Sequence, residues 1–321
     1  MKSSVWKEIS RPSVKANLLP EELLVEEIIM NSDDPTIISF CNINKKFQNI
    51  CNNDEFWLRL YYKHFSKTGT DEGLDFINYK DLFRMTFVLY NLKNLLNYNS
   101  IKQLYYADNI DLSNKNLDKF PLGLLELYYS ETVNLSDNYI KILPDEIDKM
   151  INLTELDLSL NNISVLPINF YFLTNLTFLD LRNNRIEIIN DNIGKLLNLE
   201  YLNLSSNMIL RLPDTFYNLI KLKFLNLSFN QITNISYLIG KLRNLLILDI
   251  QYNKIKSIPN DINKLISLDY LILNNNSIKK NNISFDDYYS KYLDTLNSDD
   301  DYCDICGYYV NCNYCMNRGR H

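Results

Sequence analysis

The stretch that decides the fold is LTELDLSLNNI at residues 153–163, because close copies of it return at a constant distance along the chain. LTFLDLRNNRI follows at 176–186, LEYLNLSSNMI at 199–209 and LKFLNLSFNQI at 222–232, so the period is 23 residues. One asparagine marks each copy, at Asn138, Asn161, Asn184, Asn207, Asn230, Asn253 and Asn276. A self-similar period of this length predicts a solenoid in which each repeat packs on its neighbours.

The repeat pattern L-x-x-L-x-L-x-x-N-x-L resembles leucine-rich repeats, in the 23-residue form of intracellular signalling scaffolds. The resemblance implies an α/β fold, a curved parallel sheet with an irregular or helical convex side. Eight units fit residues 105–282, of which two degenerate ones begin at Ala107 and Ser130. We expect the asparagine to be structural, because its amide both donates and accepts and can satisfy backbone groups where a strand ends.

Proline recurs at one position of the repeat, where a fixed φ suits the start of the segment that returns the chain to the next strand. The five prolines are Pro121, Pro144, Pro167, Pro213 and Pro259. Asn190 and Ser236 replace proline in two units. In the unit that begins at Leu153, the apolar residues Ile163, Leu166, Phe170 and Leu173 are predicted to point inward.

The repeat frame also predicts a concave binding face, with an aromatic column beside an acidic one. Exposed neighbouring aromatic residues are typical anchors of protein interfaces. The predicted target-binding residues are Phe178, Tyr201, Phe224, Phe229, Ile247, Tyr252 and Tyr270. The alternative is that these rings only stack along the sheet and recur because the repeat was duplicated.

Residues 17–66 predict a small domain of three short helices, after a loose N-terminus at 1–16. The domain resembles the F-box in the order and spacing of Leu19-Pro20, Glu22-Leu23, Asp34-Pro35, Phe40-Cys41 and Phe56-Trp57. It departs from that pattern at Glu27, where a branched residue is expected, and at Phe40, which replaces a valine.

The F-box resemblance implies docking onto the Skp-type adaptor of cullin-RING ubiquitin ligases. The residues that would dock the adaptor or support the docking surface are Leu19, Pro20, Leu23, Ile28 and Trp57. The alternative is a plain helical cap on the repeats. Residues 67–104 predict a connector that caps the first strand, with an amphipathic helix from Tyr79 to Leu96.

The C-terminal segment 283–321 predicts a capping helix over Phe285 to Leu296 and then a cysteine-rich tail. Cys303 and Cys306 form one C-x-x-C pair, and Cys312 and Cys315 form another. Paired C-x-x-C motifs suit one tetrahedral zinc ion, and free thiols or a disulfide pair are the alternative. A RING domain needs eight ligands for two zinc ions, so this tail is not predicted to be a ligase itself.

Composition argues against catalysis and against nucleic-acid binding. The chain has two histidines and seven glycines, a net charge of −6 and a pI near 5.1. Catalytic templates therefore lack their usual general bases, and no basic stripe is present to neutralise phosphates. A nucleic-acid binder acting through the tail, with Arg318 and Arg320, is the weakest hypothesis.

The N-terminus lacks the apolar core of a secretory signal, and no run has the length of a membrane span. These features predict an intracellular protein, in the cytoplasm, with the nucleus open as an alternative. The segment ICNNDEFW at 50–57 and the bias toward Asn, Ile, Lys and Tyr resemble F-box proteins of giant DNA viruses of amoebae. On that resemblance the chain would act in the host cytoplasm.

Together these features predict a non-enzymatic substrate-recognition subunit of an SCF-type ubiquitin ligase. The F-box-like head would hold the adaptor, and the concave face would bind a target protein. The alternative is a protein-interaction scaffold that has no connection with ubiquitin, whose head only caps the repeats.

Overall fold

The computed structural model describes residues 45–53, 56–57, 79–99, 101–278, 302–303 and 308–309. The backbone forms two compact units. The first comprises residues 1–157 and 166–175, and the second comprises residues 158–165 and 176–321.

The first unit contains α-helices followed by three strands that are parallel and adjacent in chain order. Its helices are Lys45–Cys51, Tyr79–Leu96 and Ile101–Tyr105. Its strands are β1 (Asn109–Asp111), β2 (Thr132–Asn134) and β3 (Glu155–Asp157). Short 3₁₀ helices return the chain after each strand, at Leu122–Glu126, Asp145–Lys149 and Ile168–Phe172.

The helix Tyr79–Leu96 has the bounds that the sequence predicts. Its side chains Leu89 and Leu92 are buried, as their spacing along the predicted apolar face requires. The helix packs against the 3₁₀ helix Leu122–Glu126 and against the helix Ile101–Tyr105. It therefore covers the first repeat of its unit, which is the capping role expected for this segment.

The second unit contains five parallel strands, again in chain order. They are β4 (Phe178–Asp180), β5 (Tyr201–Asn203), β6 (Phe224–Asn226), β7 (Ile247–Asp249) and β8 (Tyr270–Ile272). The 3₁₀ helices of this unit are Asp191–Lys195, Asp214–Asn218, Tyr237–Lys241 and Asn260–Lys264. Two further strands, Tyr302–Cys303 and Tyr308–Tyr309, pair antiparallel.

Within each unit, strand pairing follows the sequence period, since a strand residue lies beside the residue 23 positions further along the chain. Phe178 pairs with Tyr201, and Tyr201 pairs with Phe224. The central strand residues are buried: Ile110 in β1, Val133 in β2 and a leucine in each later strand. The residues expected to point inward, Ile163, Leu166, Phe170 and Leu173, are buried too. The columns read from the sequence are therefore physical columns on the sheet.

The start of each 3₁₀ helix explains both the recurring proline and its two replacements. Pro213 stands at the N-cap with φ −71° and ψ 156°, an extended conformation that proline adopts without strain. Asn190 and Ser236 occupy the same position with the same backbone, and their side chains accept the N–H of Asn192 and Leu238. A side-chain cap thus replaces a rigid φ in these two units.

Candidate functional site

The recurring asparagine has a structural role, as predicted. In Asn207, Oδ1 accepts the backbone N–H of Ile186 at 2.9 Å. Its Nδ2 donates to the carbonyl oxygens of Leu181 and Leu204, at 2.9 and 3.1 Å. One buried amide therefore satisfies backbone groups of two consecutive repeats.

A second asparagine row, on the outer side of the turns, was not foreseen. Asn152, Asn175 and Asn244 each donate Nδ2 to a carbonyl oxygen of the preceding repeat, at 2.7 to 2.8 Å. The available signal was the recurring pair Asn-Leu at 152–153, 175–176 and 244–245. These side chains also serve packing of one repeat on the next.

The predicted acidic column lies at the ends of the strands. Several of its side-chain oxygens already accept hydrogen bonds from the backbone there. Asp180 and Asp249 accept the backbone N–H two residues further on, at 2.9 and 3.0 Å. Asn203 and Asn226 make the same bond through their amide oxygen, at 3.0 and 2.8 Å. The position thus selects a short side chain with an acceptor oxygen, charged or neutral.

Asp249 differs from its neighbours because it is a fully buried carboxyl group. Burial raises its pKa to about 7, although the backbone N–H and the side-chain amide of Gln251 and the hydroxyl of Ser228 lower it in part. The amide nitrogen of Gln251 lies 3.1 Å from Oδ2. The side chain therefore changes its protonation state near neutral pH.

Three members of the predicted aromatic stripe are buried, which corrects the expectation that the whole stripe is exposed. Phe178, Tyr201 and Phe224 are exposed by only 9%, 3% and 1%. Their rings are stacked, with centroids 4.3 and 4.1 Å apart and planes inclined by 14°. Stacking covers both faces of Tyr201. The alternative hypothesis, that the rings only stack along the sheet, predicts this arrangement. A role in target binding stays a prediction for these three rings.

Phe229 and Tyr252 form a second aromatic pair, and this pair is exposed. Their centroids are 4.2 Å apart with planes 10° from parallel, and their side chains are 46% and 41% exposed. Tyr270, in strand β8, is also exposed, whereas Ile247 is half-buried. The exposed members of the predicted stripe thus lie toward the last repeats.

The backbone of the aromatic pair has an unfavourable conformation. The residue before the ladder asparagine has a positive φ in every repeat: 53° at Asn183, 53° at Ser206, 53° at Phe229 and 49° at Tyr252. Asparagine adopts this left-handed region readily, whereas a bulky side chain costs about 1–2 kcal/mol there. The chain therefore carries two large rings at positions where a small polar residue would fold more easily.

Of the predicted adaptor-docking residues, only Trp57 lies among the described residues. It is 1% exposed, its Nε1 donates to the carbonyl oxygen of Cys51 at 2.7 Å, and its ring meets Phe56 edge-on at 5.0 Å. Trp57 is therefore buried in the core of the head. Leu19, Pro20, Leu23 and Ile28 lie outside the described residues.

The predicted zinc ligands also lie outside the part of the chain whose side chains are described. Among the described residues, no group of three or more His, Cys, Asp or Glu side chains could hold a metal ion. Cys51 is buried and disulfide-bonded. The disulfide is a feature that the sequence alone did not predict.

Comparison with known families identifies the repeats. Residues 131–186 match one family model described as Leucine rich repeat, and residues 198–219 and 221–242 match a second model of the same description. These segments are leucine-rich repeats. The predicted leucine-rich-repeat architecture is confirmed, and it supports a protein-interaction scaffold. Both matches lie within the repeats, so the F-box and viral resemblances stay predictions.

Solved structures with leucine-rich-repeat folds resemble this chain. An internalin (inlF) of Listeria monocytogenes is 22% identical, with a TM-score of 0.53 over 63% of this chain and 54% of its own. Internalin C2 of the same bacterium is 22% identical, with a TM-score of 0.55 over 64% of this chain and 88% of its own. At this identity the likeness concerns the fold alone.

A third structure is the leucine-rich-repeat ectodomain of the plant membrane receptor kinase GASSHO1/SCHENGEN3 from Arabidopsis thaliana, in complex with CASPARIAN STRIP INTEGRITY FACTOR 2. It is 30% identical, with a TM-score of 0.51 over 56% of this chain and 22% of the ectodomain. This chain thus spans about half of the first internalin and under a quarter of the ectodomain. No curated protein matched the sequence.

No helix within the described residues has both the length and the apolar character of a bilayer span.

Proposed function

We propose that this chain is a non-enzymatic scaffold whose leucine-rich repeats hold a protein partner through Phe229 and Tyr252. The observation that carries the proposal is the position of these two rings. They are exposed, they stack on each other, and both stand on left-handed backbone that disfavours bulky side chains. Strained residues retained on a surface are found preferentially at functional sites.

The aromatic pair has the properties of an interface anchor. Two stacked rings lose little conformational freedom when a partner covers them, so the apolar area they bury contributes efficiently to affinity. Tyr270 adds an exposed ring with a polar tip, and the pair Lys254–Gln231, joined at 3.1 Å, adds polar groups nearby in sequence. Aromatic anchors with polar neighbours are typical of surfaces that bind proteins.

The plant receptor ectodomain, a leucine-rich-repeat structure, was solved in complex with CASPARIAN STRIP INTEGRITY FACTOR 2. By analogy, we infer that the repeats of this chain bind a protein as well.

A double substitution tests this proposal without harming the fold. Phe229→Asn with Tyr252→Asn places at both positions the residue that Asn183 already provides at the equivalent site. Affinity-purified chain should retain a specific partner from the cells that express it, and the double variant should lose that partner. Leu160→Asn is the matched control, since Leu160 has φ 54° and is exposed. Equal retention by all three proteins would refute the role of the pair.

We further propose that the head docks a Skp-type adaptor, which makes the chain a target-recognition subunit of an SCF-type ubiquitin ligase. The support is the F-box resemblance of Leu19-Pro20, Glu22-Leu23, Asp34-Pro35 and Phe56-Trp57. The contact of Trp57 with Phe56 and its bond to Cys51 would hold the helices that present the docking residues. The mechanism would be proximity, and an enzyme elsewhere would transfer ubiquitin.

A pull-down with purified Skp-type adaptor tests this second proposal. Wild type should bind, and Leu23→Asp should not, because a charge would enter an apolar contact. Asn49→Asp is the matched control, since it adds the same charge at an exposed position of the head. Trp57→Ala is unsuitable, because loss of so large a buried side chain typically costs about 3–5 kcal/mol and would unfold the head. Failure of wild type to bind would leave the scaffold without a ligase role, its head serving only as a cap.

Zinc binding by Cys303, Cys306, Cys312 and Cys315 is a separate proposal. The support is the pair of C-x-x-C motifs, each of which can supply two thiolates to one ion. Metal analysis of the full chain should find one zinc ion per molecule, and Cys306→Ser should lose it. A metal-free wild type purified in the presence of zinc would contradict the proposal.

We propose an intracellular location, in the host cytoplasm if the protein is viral. The disulfide at Cys51 counts against it, because structural disulfides persist mainly in oxidising compartments. Alkylation of thiols in freshly lysed cells distinguishes a cytoplasmic location from an oxidising compartment, since a cytoplasmic protein should have Cys51 reduced and labelled.

A further inference from the structure

Four tyrosines of the first unit form one cluster of rings, which we call the tyrosine cluster: Tyr105, Tyr106, Tyr128 and Tyr129. Tyr129 is at its centre, with ring centroids 5.7 Å from Tyr105, 5.1 Å from Tyr106 and 5.4 Å from Tyr128. Tyr105 and Tyr106 are 5.2 Å apart and perpendicular. Tyr105 ends the helix Ile101–Tyr105, and Tyr128 and Tyr129 lie in the turn before β2.

The cluster lies on the surface. Tyr106, Tyr128 and Tyr129 are 46%, 53% and 44% exposed. Tyrosines that serve the core of this protein are different, since Tyr171 is only 2% exposed. The contacts among the four rings hold them in place, so the exposed rings form a preordered surface and lose little freedom on binding.

The charge around the cluster is negative. Asp108 and Glu131 are exposed and adjacent, because the backbone N–H of Glu131 donates to the carbonyl oxygen of Asp108 at 2.8 Å. Burial, the neighbouring tyrosines and then the charge of Glu126 raise the pKa of Tyr105, so this third carboxylate also acts on the rings. Lys102, whose carbonyl oxygen accepts the N–H of Tyr106 at 3.3 Å, adds a positive charge close to the cluster. The exposed carboxylates of Asp108 and Glu131 nevertheless favour a cationic ligand.

We propose that the tyrosine cluster is a docking surface for an arginine-bearing segment of a protein partner. A guanidinium group stacks on tyrosine faces and forms paired hydrogen bonds with carboxylates, and the cluster offers both kinds of group together. Lysine stacks less well and is more strongly hydrated, so arginine is the favoured residue. The acidic surroundings exclude a nucleic acid as the ligand.

Peptide binding to the full chain tests the proposal. The probes are fluorescein-labelled octapeptides that alternate glycine with arginine, lysine or glutamate, followed by fluorescence anisotropy at low and physiological salt. The arginine peptide should bind tightest and the glutamate peptide should not bind. Tyr106→Ala with Tyr129→Ala should weaken the arginine peptide about fivefold or more, the effect of losing two cation–π contacts.

Two controls separate ring stacking from other causes. Tyr139→Ala removes an equally exposed tyrosine of the same unit, outside the cluster, and should leave binding unchanged. Tyr106→Phe with Tyr129→Phe keeps the rings and should retain most of the affinity, whatever the alanine variants do to the fold. Equal binding of the arginine and lysine peptides, or full binding by a folded alanine variant, would overturn the proposal. Neither result bears on Phe229, Tyr252 or the adaptor.

Discussion

Several residues of this protein have a left-handed backbone conformation that is unfavourable for their side chains. The cost in folding free energy can be measured at Leu160. Leu160 has φ 54° and an exposed side chain, and it has no aromatic partner across the repeat. Leu160→Asn should therefore raise the free energy of unfolding by about 0.5–1 kcal/mol, because asparagine tolerates the left-handed region. Urea unfolding provides the measurement. A loss of stability would mean that the leucine is held by packing and that the strain argument fails for the aromatic pair too.

The buried carboxyl group of Asp249 makes stability depend on pH. Its pKa is about 7 in the folded chain and 3.8 in the reference state, so the protonated form is favoured by folding. The unfolded chain loses this proton first as pH rises, and stability falls between about pH 4 and pH 7. Asp249→Asn keeps the acceptor oxygen, as at Asn203 and Asn226, and removes the titration.

Thermal melts of wild type and Asp249→Asn across pH should therefore diverge. We expect similar stability near pH 4 and an advantage for the variant that grows to a few kcal/mol at pH 7, then stays constant. Gln251 can turn its side-chain amide to accept from the new nitrogen. A constant difference from pH 4 to pH 8 would show that the carboxyl group of Asp249 titrates normally.

Residue exposure is where sequence reasoning reached its limit. The 23-residue period placed Phe178 and Phe224 in one strand column and Phe229 beside Tyr252 in the following turns, because equivalent positions of consecutive repeats lie next to each other. It could not distinguish the buried stack from the exposed pair, since a ring in a column looks the same in either setting. The left-handed backbone was likewise invisible, because it arises from the turn and not from the residue that occupies it.

At the scale of the element, the start of each 3₁₀ helix has two interchangeable solutions. Proline fixes φ in five units, and Asn190 supplies a side-chain acceptor at 2.9 Å from the N–H of Asn192. Asn190→Ala removes the cap and should cost about 1 kcal/mol. Asn190→Pro should stay within about 0.5 kcal/mol of wild type, because the rigid φ offsets the lost cap. Chemical denaturation of both variants checks this, and equal losses would contradict it.

Elements with a long or repeated pattern were predictable, and those defined by a single contact were not. The helix Tyr79–Leu96 and the eight strands follow from apolar spacing sustained over many residues. The caps at Asn190 and Ser236 were read only as missing prolines. The bonds that Asn152, Asn175 and Asn244 make to the preceding repeat were not predicted, because the strand-end position that explains the ladder asparagine does not apply to them.

At the scale of the whole molecule, the repeats were more predictable from the sequence than the segments that flank them. The fold of the repeats is predictable because equivalent residues of every copy make the same packing contacts with the neighbouring copies. The head and the tail each occur once. Their proposed functions therefore rest on the F-box resemblance and on the spacing of the cysteines. Trp57 illustrates this, because the resemblance left open whether it docks the adaptor or supports the docking surface, and the structure buries it in the head.

The central claim, which we propose from the F-box resemblance, is that the head holds the repeat scaffold on a Skp-type adaptor. Sedimentation equilibrium of the two purified proteins tests this claim most directly. The claim predicts a single complex with one copy of each, whose mass is that of the adaptor plus 37.9 kDa, and its loss with Leu23→Asp but not with Asn49→Asp. Two species that sediment independently at micromolar concentrations, with the chain folded, would contradict it.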